Sequence, residues 1–496
     1  MGAILPLPTE LTSFLRRATP QALLVRGPPG TGKSTLAFAL LQSFAGRRIY
    51  VSGRVPRREL AQDFPWISGE GPHRVSVVES AEPTEPLQET LRAIEKAPRL
   101  VASPAALPLL RSLLLPPEGL DAWTQTSSDG PTMVVLDPWD AIVERHLGRA
   151  ALEGLQLPPR PELERIALSQ LASGPVFLVI VVEDRTAGQL EYLVNGIVTL
   201  DRTSSHDRLE RWLDLDKLRG IRIESPRYPF SLEAGRFQCA ARLDPRTVAR
   251  LGRGDPEPDV IPGTIWPGSV EYATHFGRPH VGRLTVLTKD LEVPDSAVNL
   301  LLAPLITQVL RKRGPILHIL PPRVHPDDVW QSCQGFLNRD EFLRFVRILS
   351  PSPPDPADPI AEAILPFRPK SVAGSDPRAP EALRFIRESQ DQDRPGLSVI
   401  WSSGLRALNA VAPGAYQPET LPSLATAYFH RSFVHQVYIG MDGDPLTDSL
   451  FPMAETRIHL ASRSGRVFVY ASDPPTPYLV LSAADEAKPY RLLLVV

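Results

Sequence analysis

Residues 27 to 34 read Gly27-Pro28-Pro29-Gly30-Thr31-Gly32-Lys33-Ser34, a complete G-x-x-x-x-G-K-S octet. An apolar run, Ala22-Leu23-Leu24-Val25, stands directly before it. After it, Leu36, Ala37, Leu40, Leu41 and Phe44 fall on one helical face that stops at Gly46. Strand, glycine loop and helix in that order commit the chain to an α/β fold with a mainly parallel sheet. The same order dictates chemistry. Glycines let backbone N–H groups close around phosphate, and the helix N-terminus adds positive dipole. Lys33 can reach β and γ oxygens, and the Ser34 hydroxyl can ligate Mg²⁺. A nucleotide meets all of these groups at once. The candidate nucleotide-binding residues are therefore Gly27, Pro28, Pro29, Gly30, Thr31, Gly32, Lys33, Ser34 and Thr35.

A chain of 496 residues is too long for one ordinary core, so two domains of α/β size are expected. Lysine plus arginine number 54 against 56 acids, and no long basic stripe is present, which disfavours a constitutive nucleic-acid binder. Cys239 and Cys333 stand isolated, without ligand spacing, so neither a disulfide framework nor a zinc site is expected. The longest apolar run, Val176 to Val182, has the length of a buried strand. Signal peptide and membrane span are both read as absent, and a reducing cytoplasm as the location.

A phosphate loop alone names a superfamily, and its partners must be found further along the chain. Met133-Val134-Val135-Leu136-Asp137 is an apolar strand ending in an acid, the form needed to hold Mg²⁺ opposite Ser34. The interval from Lys33 to Asp137 leaves room for two more strand and helix units, which suits a RecA-like core. AAA+ proteins carry an acid pair after this strand, whereas Pro138 follows Asp137 here, and no L-S-G-G-Q signature marks a transporter ATPase. Arg48 to Ser52 and Arg74 to Val78 supply further short apolar strands of buried parallel type.

Glu183 ends the fifth strand. Glu191 to Leu200, then Lys217-Leu218-Arg219-Gly220, then Tyr228-Pro229-Phe230 leading to Gly235 complete an ordered series. Over roughly residues 1 to 240 this series resembles the RecA-superfamily branch that contains the clock ATPase KaiC and its archaeal relatives. Tyr50 to Val55, Phe64-Pro65-Trp66 and Asp137-Pro138-Trp139-Asp140 are closest in wording to the GvpD-like proteins, whose namesake is a gas-vesicle regulator.

The resemblance implies ATP as the nucleotide and Mg²⁺ at Ser34 and Asp137. It also implies a homo-oligomer with ATP at subunit interfaces, because Lys217 and Arg219 match a Lys-x-Arg pair that reaches the γ-phosphate of a neighbouring subunit. Lys33, Lys217, Arg219 and Glu183 are thus the candidate catalytic residues. One departure matters. Where KaiC-like ATPases place a glutamate pair after the second strand, this chain has Arg54 and Val55, and arginine cannot act as a general base. Glu183, or Glu79 after the third strand, could contribute an acid at a strand end. The cluster Arg47, Arg48, Arg54, Arg57 and Arg58 could hold a nucleotide phosphate, nucleic acid or an acidic neighbour subunit but reads first as solvated surface, and Trp66 and Trp139 could stack on a base or a partner but read first as packing residues.

Residues 1–242 are expected to form the nucleotide-binding domain, 243–263 a linker rich in Pro, Gly and charge, and 264–496 a second domain. Strand Leu284 to Leu287, helix Ala297 to Val309 and strand Ile316 to Leu320 repeat the order of the first half. Tyr50 pairs with His318, Asp137 with Trp401 and Val176 with Val434 at offsets of 268, 264 and 258, as a duplicated RecA-like unit would give. The copy has lost its phosphate loop: Thr288 to Ser296 contains no glycine, carries Asp290, Glu292 and Asp295, and Trp401 replaces the metal-binding acid. Pro351 to Pro380, with nine prolines, reads as a surface insertion, and Arg457 to Leu460, Gly465 to Tyr470 and Arg491 to Val496 as closing strands.

Three readings of function follow. The first is a slowly hydrolysing Mg·ATPase that acts as a regulatory or assembly switch. The second is a non-hydrolysing, nucleotide-gated module recognised by a protein partner, and the third, set against the near-zero charge, is a DNA-acting recombinase-like ATPase. No guanine-reading N-K-x-D motif and no adenine-specific motif is visible, so ATP over GTP rests on the resemblance.

Overall fold

A computed structural model of the chain describes residues 7–17, 19, 21–68, 75–79, 131–144, 160–161, 176–183, 188, 190–240, 242–243, 251–350, 354–366, 385, 394–411, 416–423, 425, 433–483 and 490–495. Its contacts divide the chain after Cys239, into a unit of Ile4–Cys239 and a unit of Ala240–Leu494.

The first unit is built on nine strands: β1 (Ala22–Arg26), β2 (Arg47–Ser52), β3 (Ser76–Glu79), β4 (Thr132–Asp137), β5 (Val176–Val182), β6 (Gly196–Ser205), β7 (Arg208–Leu218), β8 (Arg227–Ser231) and β9 (Gln238–Cys239). Their order across the sheet is β3-β2-β4-β5-β1-β6-β7-β8-β9. The pairs from β3 through β6 are parallel, and β7, β8 and β9 continue as an antiparallel meander. Parallel strands covered on both faces must be apolar on both. Val176 to Val182 obeys this throughout, every residue being buried. Each such side chain contributes roughly 1.5–3 kcal/mol when fully withdrawn from water.

Helix Lys33–Ser43 follows β1 and buries Leu36, Ala37, Leu40 and Leu41, as the periodicity predicts. It also buries Phe38, whose ring stacks on Tyr50 of β2 at 4.3 Å between centroids. The helix ends three residues before Gly46. Phe44 turns to extended backbone, and the buried Arg48 caps the turn by donating from Nε (3.0 Å) and Nη2 (2.6 Å) to the Phe44 carbonyl. Arg48 is therefore a helix-capping residue and leaves the arginine cluster expected from sequence.

The second unit comprises β10 (Leu284–Lys289), β11 (Ile316–Ile319), β12 (Val346–Ser350), β13 (Ile364–Pro366), β14 (Gly396–Trp401), β15 (Val434–Met441), β16 (Thr456–Arg463), β17 (Arg466–Asp473), β18 (Leu479–Ala483) and β19 (Tyr490–Leu494). Their order is β13-β12-β11-β14-β15-β10-β16-β17-β18-β19. Without the extra edge strand β13, this is the order of the first unit position by position. The register agrees too. Tyr50 pairs with Val135, two residues before Asp137, and His318 pairs with Val399, two residues before Trp401. Both units are RecA-like, and the second is a degenerate copy.

Two boundaries differ from expectation. Residues 251–263, read as linker, belong to the second unit: the Asp255 carbonyl accepts from Trp266 Nε1 at 2.9 Å, and Arg311 Nη2 donates to the Gly252 carbonyl at 2.8 Å. Their Pro and Gly content shapes an ordered turn-rich strap. The start of the proline-rich insertion is likewise part of the fold. Ile360 and Ala363 are fully buried and Ile364–Pro366 forms β13, because apolar residues between the prolines can pack on an edge where a proline costs no ladder bond. Residues 367–384 lie outside the described residues. No helix among the described residues is long and apolar enough to cross a membrane.

Candidate nucleotide site

The glycine loop leaves β1 at its C-terminal end, where parallel sheets bind ligands. Gly27 (φ 150°) and Gly32 (φ 95°) are both required by geometry. A Cβ on Gly27 would lie 2.3 Å from the Leu200 carbonyl oxygen of β6, and one on Gly32 would meet the Leu232 side chain at 2.7 Å. Thr31 Oγ1 donates to the Pro28 carbonyl at 2.8 Å and locks the turn. Lys33 is buried and folds back into the loop, with Nζ donating to the Gly27 and Pro28 carbonyls at 2.7 and 2.9 Å. Burial pushes the Lys33 ammonium below its ordinary pKa, against the pull of Glu183, Asp137 and Asp140. Ser34 and Thr35 occupy the first helical turn, half-buried.

Asp137 ends β4 beside this turn. Its carboxylate is buried and hydrogen-bonded to Ser34, and Tyr50 Oη donates to Asp137 Oδ2 at 2.6 Å. Burial raises the Asp137 pKa, and the bonds from Tyr50 and Ser34 and the charge of Lys33 pull it partly back. The Tyr50 phenol is raised well above its ordinary value by burial and by the adjacent carboxylate. Sequence reasoning found Asp137 and Ser34 but placed Tyr50 only as a strand residue. Its signal was the alternation along β2, which turns Tyr50 toward the helix face with Ser52 next in that row.

Arg54 follows β2 and Glu183 follows β5, the two strands that flank β4. Their side chains meet across the end of β4, with Arg54 Nη1 donating to Glu183 Oε1 at 2.7 Å. Asp140 steadies the pair: its Oδ2 accepts the Glu183 backbone N–H at 3.2 Å, and its Oδ1 accepts from Arg160. Arg57 and Arg58 sit exposed on the following helix, Arg57–Asp63. Trp139 is a buried packing residue, as expected. The side chains of Glu79 and Trp66 lie outside the described residues.

Lys217 and Arg219 sit elsewhere. Arg219 N–H bonds the Asn195 carbonyl, and Asn195 N–H bonds the carbonyl of Ala22, the first residue of β1. That level is the opposite end of β1 from the loop, about 13 Å of strand away. Lys217 Nζ donates to the carbonyls of Glu191 and Val194, both at 2.9 Å, and burial lowers its pKa. The structure thus brings together Lys33, Ser34, Asp137 and Glu183 and leaves Lys217 and Arg219 outside the site of their own chain.

Two arginines missed by sequence reasoning border the loop. Arg211 Nη1 of β7 donates to the Gly30 carbonyl at 3.1 Å, and a Cβ on Gly30 would lie 3.8 Å from Arg202 Nη1 of β6.

Residues 11–216 match the family model described as the GvpD gas vesicle protein, P-loop domain. These residues, about two-fifths of the chain, are similar to the GvpD-type P-loop domain. They span the loop, both metal-site candidates and the Arg54–Glu183 pair, and P-loop domains of this kind bind nucleotides. Protein GvpD2 of Halobacterium salinarum (strain ATCC 700922 / JCM 11081 / NRC-1) is 31% identical over 254 residues, which cover 49% of this chain and 46% of that protein. Protein GvpD1 of the same strain is 28% identical over 259 residues, covering 50% and 43%. The chain therefore spans less than half the length of these relatives. A crystal structure of a KaiC-like protein from Pyrococcus horikoshii OT3 aligns at 17% identity with a TM-score of 0.30, over 45% of this chain and 89% of that one. The RecA-like assignment rests on strand order and the P-loop match, and the similarity to the GvpD-type domain lies only in the first of the two units.

In the degenerate copy, the loop from Lys289 to Pro294 has the length of Gly27 to Gly32, and helix Asp295–Arg311 begins where Lys33 would stand. Lys289 Nζ fills the turn, donating to the Val293 carbonyl at 2.7 Å and pairing with Asp295 at 2.9 Å. A cation from the strand thus takes the part that Lys33 plays toward its own loop carbonyls, and the acid beside it repels phosphate.

Proposed function

We propose that the N-terminal half binds Mg·ATP on Gly27–Thr35 and turns it over slowly, site occupancy serving as a regulatory or assembly switch. The observation that carries this reading is the Arg54–Glu183 ion pair spanning the end of β4. Lys33, released from the Gly27 and Pro28 carbonyls, supplies the β and γ phosphates with a cation. The backbone N–H groups of the loop and the first turn of helix Lys33–Ser43 supply donors.

The donor set fits Mg²⁺. Ser34 Oγ and the Asp137 carboxylate are hard oxygen ligands in contact, and a carboxylate penalised by burial gains from a divalent cation. Among the described residues no group of three acids, cysteines or histidines forms a metal cage. That agrees with a cation that takes most of its ligands from phosphate and water. When bound, Mg²⁺ neutralises developing phosphate charge. Tyr50 holds Asp137 in place for it.

Glu183 is the acid nearest to a general-base role, and its Oε1 is engaged by Arg54. Turnover then requires this pair to open, which makes the enzyme slow. The same pair favours a second reading, in which ATP binds without hydrolysis and only fixes a shape for a protein partner, in keeping with the GvpD resemblance. Lys217 and Arg219 would act only across a subunit interface, on the site of a second copy. The test is steady-state Mg·ATP hydrolysis beside direct binding. Turnover lost in Lys33→Ala and Arg219→Ala supports the switch ATPase, and tight binding without turnover supports the gated module. An equal oligomeric state with and without ATP would remove the assembly role.

A further inference from the structure

The row of side chains on the helix-facing side of β6 runs Val198, Leu200, Arg202, and the matching row of β7 runs Leu215, Leu213, Arg211. The first two members of each are buried in the core under helix Lys33–Ser43. The third members are arginines directly opposite one another, Arg202 with Arg211. Like charges at a cross-strand pair are unfavourable, so this placement needs a compensating partner. β1 stops at Arg26, opposite Thr199 of β6, so both arginines overhang the loop that follows. Arg211 anchors on the Gly30 carbonyl through Nη1, and Arg202 Nη1 comes alongside Gly30.

Two further facts mark the pair as unfinished. The Nε of Arg211 is buried without a hydrogen-bond acceptor, and Arg211 is destabilised as a cation by burial and by Arg202. A buried N–H of a charged group without an acceptor is costly, and an anion between the accessible ends of the two guanidinium groups would offset the repulsion between them. The metal corner, Asp137 with Tyr50 and the Arg54–Glu183 pair, lies on the β4 side of β1, whereas Arg202 and Arg211 lie on the β6 side. A triphosphate with its terminal phosphate toward Asp137 extends its other end toward the arginines.

The geometry points to Arg202 and Arg211 as a clamp, supplied by the same chain, on the phosphate nearest the nucleoside. The assignment rests on the nucleotide-binding reading above. Arg211 presents a planar fork already held by Gly30, and the more exposed Arg202 closes over the phosphate from the opposite strand.

The test is binding of Mg·ATP and of inorganic tripolyphosphate, by calorimetry, to the full chain, to Arg202→Ala/Arg211→Ala and to Arg211→Lys, with Lys33→Ala as reference. A charge-assisted bond to phosphate corresponds to roughly ten- to a hundredfold in affinity. The double variant is expected to lose at least about tenfold for both ligands, and Arg211→Lys an intermediate amount because it keeps the charge without the fork. Both arginines stand at the rim of the sheet, so thermal melts of the variants should stay near wild type. Affinity of the double variant within about twofold of wild type, with Lys33→Ala unable to bind, overturns the clamp and leaves the nucleotide reading standing. A loss for ATP with none for tripolyphosphate also overturns it, since the arginines would then serve the nucleoside. If the folded wild type binds neither ligand, clamp and nucleotide reading fall together.

Discussion

Removing the guanidinium of Arg54 separates its two conceivable roles, because the structure assigns very different sizes to its effects on folding and on turnover. The Arg54 and Glu183 side chains are 52% and 32% exposed, so their 2.7 Å pair is a surface ion pair worth about 0–1 kcal/mol. Arg54→Ala should therefore shift the melting temperature by no more than a few degrees. Its effect on chemistry is larger. The substitution frees the Glu183 carboxylate at a strand end beside Lys33 and Asp137, and a positioned general base is typically worth about 10² to 10⁴ in rate. Phosphate release at saturating Mg·ATP should rise at least about tenfold in Arg54→Ala and return to the wild-type level or below in Arg54→Ala/Glu183→Gln. A rate that falls in Arg54→Ala would refute the reasoning, for it would mean that Arg54 stabilises phosphoryl charge instead of restraining the base.

Other substitutions probe separate parts of the site and of the fold. Tyr50→Phe removes a 2.6 Å bond to a buried carboxylate, and Mg²⁺-dependent ATP affinity should fall by roughly tenfold or more, read by calorimetry with and without Mg²⁺. The raised pKa of Asp137 means that its contribution to stability is present below the unfolded carboxylate range and is lost as pH rises through its folded value. Asp137→Asn should thus melt no lower than wild type at neutral pH without ligand, and lose the melting shift that Mg·ATP gives wild type. If Arg219 acts in trans, mixing Lys33→Ala with Arg219→Ala should restore part of the hydrolysis that each lacks alone, and no recovery at any ratio would rule out shared sites. In the second unit, burial lowers His318 and His435 to about 4. Both stay neutral when folded and charge when unfolded. Their contribution, up to about 3 kcal/mol each, is present above pH ~6.5 and lost as pH falls toward 4, which urea titrations of that unit across the window would register.

The parts of the fold legible in sequence are those where one local rule decides. Val176 to Val182 is apolar at every position because it is buried on both faces, and its bounds follow directly. The duplication was visible because strand ends are fixed by the sheet, so Tyr50 and His318, or Asp137 and Trp401, keep near-constant offsets. Loop Gly27–Ser34 was legible because each residue answers to phosphate chemistry. What escaped depends on contacts between distant segments. Arg54 and Glu183 are 129 positions apart, and nothing local says that they pair. Arg202 and Arg211 look like ordinary exposed charges of a hairpin until the register sets them opposite one another over the glycine loop. Residues 251–263 have the composition of a linker, yet their backbone groups find partners in Gly268, Trp266 and Arg311, which only the fold brings near.

Under the proposed function, the glycine loop of the N-terminal unit is a Mg²⁺-dependent nucleotide site. Calorimetric titration of ATP into the full chain, with Mg²⁺ and with chelator, beside Lys33→Ala, tests it most directly. The account predicts one ATP per chain, weakened without Mg²⁺ and lost in Lys33→Ala. Folded wild-type protein that takes up no ATP, or a Lys33→Ala variant that binds as wild type does, would contradict it.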